Sequence, residues 1–162
     1  MEIPVPSLHV LYLEDNPVDA DLAKRTLAQL APEVRLEIVP DLASAMQRLA
    51  SSSMEFDIIL TDLLLPDGSG LEILTHVRTR NLPLPVVIIT GSGDQEMAVT
   101  ALKEGADDYL VKRDDYVSRL ADTLSCAVER FQADREHRSR TLRVLYAEPN
   151  AFDEDLTLRH FG

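Results

Sequence analysis

Five short β-prone apolar runs alternate with five longer stretches of helical periodicity, and this alternation limits how the chain can fold more than any other feature. LHVLYL (8–13), VRLEIV (34–39), FDIIL (56–60), PVVIIT (85–90) and DDYLV (107–111) read as strands. The third and fourth are almost unbroken in Ile, Leu and Val, as in strands covered on both faces. Residues 16–30, 41–51, 70–80 and 94–105 read as helices, and a long helix begins near Asp114. Asn16 and Asp41 stand at N-cap positions, Pro17 at a first helical position, and Gly105 at a stop. Alternating β–α units need crossover connections. The expected class is therefore α/β, a five-stranded parallel sheet with helices on both faces and a long C-terminal helix.

In such a sheet, ligands bind beyond the carboxyl ends of the strands. The first strand ends in Glu14 and Asp15, the third in Thr61 and Asp62, the fourth in Thr90, the fifth in Lys112. Taken singly, each has an ordinary explanation. An Asp after a strand is a turn or cap residue, a terminal Thr is a β former, and a lone Lys is a solvated surface group. Their convergence at one rim is harder to explain that way. Carboxylates, a hydroxyl and an ammonium are the parts needed to hold a hard divalent cation such as Mg²⁺ and to move a phosphoryl group.

The net charge of −12 argues against a nucleic-acid or anionic-membrane surface. No apolar run approaches membrane-spanning length. MEIPVPS lacks the basic start and apolar stretch of a secretion signal, so a cytoplasmic location is expected. Cys126 is the only cysteine, which excludes an internal disulfide. Its neighbours Leu120, Leu124, Ala127, Val128 and Phe131 suggest that it is packed in the core. His9, His76, His137 and His160 have no ligand-like spacing and read as surface or packing residues.

The order and spacing of LEDN, TDLLLPDGSGLE (61–72), IITGSGD (88–94) and GADDYLVK (105–112) resemble the receiver domain of two-component response regulators, over about residues 8–131. The resemblance implies a flavodoxin-like strand order, 2-1-3-4-5. It implies that Asp62 accepts a phosphoryl group from the phosphohistidine of a histidine kinase or histidine phosphotransfer protein. Asp15, Asp62 and the Leu64 carbonyl would hold Mg²⁺, with Glu14 acting mainly through water. Lys112 would contact the phosphoryl oxygens, Thr90 would move toward them, and Tyr109 would change its burial in response. Such a domain is a phosphoacceptor signalling module that catalyses only its own phosphorylation and dephosphorylation. Some relatives carry, two residues past the phosphoacceptor, a polar side chain that orients a hydrolytic water; here that place holds Leu64.

Two other readings use the same residues. A pseudo-receiver that only docks partners would not need the intact Asp15, Asp62, Thr90 and Lys112. An aspartyl-phosphate phosphatase or phosphotransferase often has a second acid where Leu64 stands.

Two positions depart from the family pattern. Arg113 follows Lys112 where proline is usual, so a trans bond is expected there, since a cis bond without proline costs about 2.5–4 kcal/mol. Gly91 follows Thr90, making GSG a permissive loop.

Residues 132–142 read as a helical extension or linker. Residues 143–162 match residues 9–28 at nine of twenty positions, against about one by chance. They are expected to be the truncated start of a second receiver-like domain in which Pro149 replaces Asp15. Cut off from its sheet, such a tail should extend the long helix, be poorly ordered, or pack on the first domain or a neighbouring chain; a homodimer is left open.

Overall fold

The computed structural model describes residues 7–161, with side-chain surroundings through Arg140. The N-terminal segment read above, up to residue 6, lies outside the described residues, as do the side chains of the repeat at 143–162. The strands are β1 (Leu8–Leu13), β2 (Val34–Val39), β3 (Ile58–Asp62), β4 (Leu64–Leu65), β5 (Gly68–Ser69), β6 (Val86–Thr90) and β7 (Asp108–Val111). The helices are α1 (Pro17–Leu30), α2 (Leu42–Ser52), α3 (Gly70–Thr79), α4 (Gln95–Lys103) and α5 (Tyr116–Phe161). The chain divides into two units, Met1–Val128 and Glu129–Gly162.

The main sheet runs β2-β1-β3-β6-β7, every pair parallel. With the small β4–β5 ladder left out of the count, this is the expected flavodoxin-like order. Side chains alternate across a strand, so each buried strand feeds two cores. Val10, Tyr12, Ile58, Leu60, Val87 and Ile89 meet Ala23 and Leu27 of α1 and Leu120, Leu124 and Ala127 of α5. Leu11, Leu13, Ile59, Val86 and Ile88 meet α2, α3 and α4 through Leu49, Ile73, Leu74, Val77 and Ala101. Each large aliphatic so buried contributes about 1.5–3 kcal/mol, which fixes the strand register and with it the level at which every strand ends.

Asn16 caps α1 by accepting from the Val18 N–H, and Asp41 caps α2 by accepting from the Ser44 N–H. Asp67, in the turn between β4 and β5, accepts from the N–H groups of both Leu42 and Ala43. These two backbone hydrogen bonds hold its carboxyl below the usual aspartate range. They also fasten the turn that follows Asp62 to the start of α2. Gly105 ends the α4 segment with a φ of 108°, a conformation that favours glycine.

One expectation is corrected. Cys126 is exposed rather than packed in the core. On α5 the buried stripe is Leu120, Leu124 and Ala127, and a residue two places past Leu124 points about 200° away from it. Between β3 and α3 the chain adds a short antiparallel ladder, in which Leu64 pairs with Ser69 and Leu65 with Gly68.

The Lys112–Arg113 bond is trans, as expected without proline. The chain turns into α5 at Asp114, whose φ of 43° is a conformation that aspartate tolerates better than most residues. Residues 143–161 are helical within α5, the first of the three outcomes expected for the tail. No helix among the described residues is long and apolar enough to cross a membrane.

Candidate functional site

The site forms where β1, β3, β6 and β7 end on the same edge of the sheet. Parallel pairing sets Leu13 beside Thr61, Asp62 beside Ile89, and Thr90 beside Val111. The acids that follow β1, the acid that ends β3 and the lysine that follows β7 therefore arrive at one level. Carboxylate oxygens of Glu14, Asp15 and Asp62 lie within 4.8 Å of one another.

Lys112 joins the cluster from the far side. Its Nζ lies 2.7 Å from Glu14 Oε2 and 2.9 Å from Asp62 Oδ2, contacts that span 98 and 50 residues of sequence. Burial of the ammonium works to lower its pKa. The hydrogen bonds to Glu14, Asp62 and Asp19 outweigh that and hold it above the ordinary lysine value. Lys112 thus carries a fixed positive charge among acids.

The two acids of the first strand's end are not equivalent. Glu14 is only 3% exposed, whereas Asp15 faces solvent. Glu14 Oε1 accepts from the Asn16 N–H, and Oε2 accepts from the Tyr12 hydroxyl and Lys112. A carboxylate oxygen has about two acceptor positions, so Oε2 is filled and Oε1 keeps one. That suits a carboxylate receiving a hydrogen from a metal-bound water better than one bound to the metal itself. Asp15 and Asp62 keep open positions, and an all-oxygen set of this kind fits a hard divalent cation.

Tyr12 is fully buried. Burial, then the neighbouring Glu14 carboxylate, push its hydroxyl far above the ordinary tyrosine pKa, so it remains a donor. The Tyr116 hydroxyl is buried at the start of α5 beside that of Tyr12, and burial likewise raises its pKa. Tyr12→Phe keeps the shape and removes one donor to a buried carboxylate. It should cost about 2 kcal/mol, read as a lower urea midpoint at unchanged slope.

The backbone around Asp62 is tied on three sides. The Leu63 N–H donates to Ile89 O, the Gly70 N–H to Leu63 O, and the Thr61 hydroxyl to Asp62 O. Gly70 opens α3 directly against this segment. A Cβ placed on it would stand 2.4 Å from the Asp62 carbonyl oxygen.

Thr90 is fully buried, and its hydroxyl reaches Leu110 O at 3.5 Å, the outer limit for a hydrogen bond. The Lys112 N–H donates to Thr90 O at 2.8 Å, so Thr90 and Lys112 share a backbone tie. Tyr109 is 37% exposed on β7. Leu64 is 67% exposed on β4, two residues past Asp62.

The structure thus gathers Glu14, Asp15, Asp62 and Lys112, sets Thr90 at the end of the adjacent strand, and leaves Tyr109 and Leu64 at the surface. Sequence reasoning missed Asp19, whose Oδ2 lies 2.9 Å from Lys112 Nζ. It also missed Tyr12. Their only sequence signals were an acid in the first turn after Pro17 and a hydroxyl two residues before Glu14, and neither stands out among core or cap residues.

Comparison with known proteins agrees with this geometry. The family described as the response regulator receiver domain matches residues 10–123. The chain is 32% identical to the response regulator protein PilR of Pseudomonas aeruginosa over 86% of its own length and 30% of that protein's. It is 30% identical to the transcriptional regulatory protein MalR of Bacillus subtilis over 87% of its own length and 59% of MalR's. Among solved structures, it resembles the signal receiver domain of a LuxO repressor protein from Vibrio parahaemolyticus. That match has a TM-score of 0.69 and 27% identity, covering 80% of this chain and 95% of that one. The chain therefore spans less than two thirds of the length of these two regulators, and what it shares with them is this one module. With its sheet order, its acid cluster and the matched residues in agreement, the chain belongs to the response regulator receiver domain family, the signalling domains of two-component systems.

Proposed function

We propose that this chain is a phosphoacceptor module that takes a phosphoryl group onto Asp62 from the phosphohistidine of a histidine kinase or histidine phosphotransfer protein. The observation that carries the reading is the Lys112 ammonium set 2.9 Å from Asp62 and 2.7 Å from Glu14 at the carboxyl edge of the sheet. An oxygen of Asp62 attacks phosphorus. The O–P bond forms as the P–N bond of the donor breaks, and the electron pair returns to the imidazole nitrogen. No general base is required, since a carboxylate is already a nucleophile, so the protein's part is positioning and charge neutralisation. Lys112 follows the charge onto the phosphoryl oxygens.

Asp15, Asp62 and the Leu64 carbonyl are the groups that would hold Mg²⁺, with Glu14 reaching it through a water. The ion, when bound, offsets the negative charge that the acids and the phosphoryl group bring together. Thr90 exchanges its long bond to Leu110 for a phosphoryl oxygen, and Tyr109 leaves the surface as Thr90 moves. Incubation with acetyl phosphate and Mg²⁺, followed by intact mass, tests the reading: one phosphoryl group should be gained, and none in the presence of a chelator.

Leu64 has no group to orient a hydrolytic water, so the phosphorylated state should be long-lived. Leu64→Asn or Leu64→Glu should shorten its half-life by about ten-fold, followed as decay of the phosphorylated mass; an unchanged half-life would refute this role.

We also propose that residues 143–162 begin a second, degenerate receiver-like domain. The support is the nine-in-twenty match to residues 9–28, which keeps Glu148 and loses the metal-binding acid to Pro149. In a longer protein from the same gene, acetyl phosphate should label Asp62 and leave the second copy largely unmodified. A gene that stops after Gly162, or equal labelling of both copies, contradicts this.

A further inference from the structure

Lys112 holds a third carboxylate that phosphoryl transfer, as set out above, does not use. Its Nζ lies 2.9 Å from Asp19 Oδ2 on α1, in addition to Glu14 and Asp62. An ammonium has three N–H donors, so all three are taken. The acceptors come from three separate elements: Glu14 follows β1, Asp62 ends β3, and Asp19 sits in the first turn of α1.

Asp19 has a plain structural role open to it. An acid in the first turn of a helix interacts favourably with the helix dipole. That explains an acid at this position. It does not require the carboxylate to turn inward to Lys112, where the two side chains are only 29% and 19% exposed.

The three contacts differ in what the reaction does to them. The Asp62 oxygen becomes part of an acyl phosphate and loses its carboxylate charge. Glu14 and Asp19 remain carboxylates throughout. A single anchor leaves an ammonium on a flexible stem free to pivot, while two anchors on different elements fix the direction of its third N–H. We propose that Asp19 is a positioning residue for phosphoryl transfer: with Glu14 it fixes Lys112, so that the remaining N–H faces the Asp62 oxygen and then the arriving phosphoryl group. The proposal rests on the phosphoacceptor reading of Asp62, and Asp19 itself touches no reacting atom.

Two measurements on the full chain test it. The first needs no metal. The ¹H–¹⁵N signal of the Lys112 ammonium, assigned by its loss in Lys112→Arg, reports whether its protons are held from exchange with water. It should be visible in the unsubstituted protein and in Asp19→Asn, which keeps an acceptor oxygen, and should broaden away in Asp19→Ala. The second is phosphorylation by acetyl phosphate with Mg²⁺. Asp19→Ala should lower the maximal rate about ten-fold at a KM changed by less than about two-fold, and Asp19→Asn should recover most of the rate. Asp19→Ser, suited to a helix N-terminus but too short to reach Lys112, must behave like Asp19→Ala; this covers the case in which alanine simply loosens α1.

Faster labelling in both Asp19→Ala and Asp19→Asn would mean that Asp19 acts only by repelling the donor, and would overturn the proposal. Equal slowing in both, or an unchanged ammonium signal in Asp19→Ala and Asp19→Ser, would overturn it too. If the unsubstituted protein gains no phosphoryl group on Asp62, the phosphoacceptor reading fails and the proposal with it. If it labels normally and Asp19→Ala labels equally well, only the proposal fails.

Discussion

Asp62→Asn should gain no mass from acetyl phosphate under conditions that add one phosphoryl group to the unsubstituted protein. The amide has the same shape and is not a nucleophile at this step, so the expected effect is complete loss rather than slowing. The variant should stay folded. Asp62 shares its surroundings with Glu14, Asp15 and Asp19 against a single lysine. Like charges about 4 Å apart near a protein surface repel by about 4 kcal/mol, so losing one acid relieves repulsion that offsets the lost bond to Lys112. Thermal melts supply an independent readout of the cation. A ligand that binds only the folded state at 100 times its Kd adds about 2.7 kcal/mol of stability. Mg²⁺ should therefore raise the melting temperature of the unsubstituted protein and do so much less in Asp62→Asn and Asp15→Asn. Equal labelling of Asp62→Asn would refute the assignment of the phosphoacceptor. Equal Mg²⁺ stabilisation in all three proteins would refute the metal ligands.

Gly70→Ala should be a strongly damaging single-methyl change beside the site. The added Cβ would stand 2.4 Å from Asp62 O and 3.0 Å from Thr61 Oγ1. The first of these is backbone, fixed by the ladder to β6, and cannot swing aside. Either α3 retreats from the sheet or the end of β3 is pushed outward. Overpacking of this kind costs about 3 kcal/mol. The urea midpoint should fall accordingly, and phosphorylation should slow at temperatures where the variant is still folded, because Asp62 moves relative to Lys112. Gly93→Ala is the matched control, since nothing lies within 4 Å of a Cβ there. Similar stability for the two variants would show that the contact at Gly70 is relieved at little cost.

The sequence carried the architecture because its signals are local. Near-continuous apolar runs such as VVII mark strands covered on both sides, and Asn16, Asp41 and Gly105 mark helix ends within one turn of where the structure puts them. Strand ends follow from the same runs. Glu14, Asp15, Asp62, Thr90 and Lys112 could therefore be placed on one edge once parallel order was inferred, and the structure brings Glu14, Asp15, Asp62 and Lys112 into mutual reach.

The sequence did not decide which face of α5 carries Cys126. Cys126 looked like core because apolar residues surround it in sequence, yet α5 turns it outward. Nor did it separate the roles of two adjacent acids. Glu14 is buried and nearly saturated with donors while Asp15 faces water, because the end of β1 turns one side chain under Tyr12 and Lys112 and the next outward. The third anchor on Lys112 was hidden for a related reason. Asp19 and Lys112 are 93 residues apart and meet only because α1 and the end of β7 approach the same edge of the sheet. Periodicity and capping are written into neighbouring residues and determine which elements form and where they stop. Which carboxylates share a given ammonium depends on distances between elements, and those are fixed only when the two cores on either side of the sheet have packed.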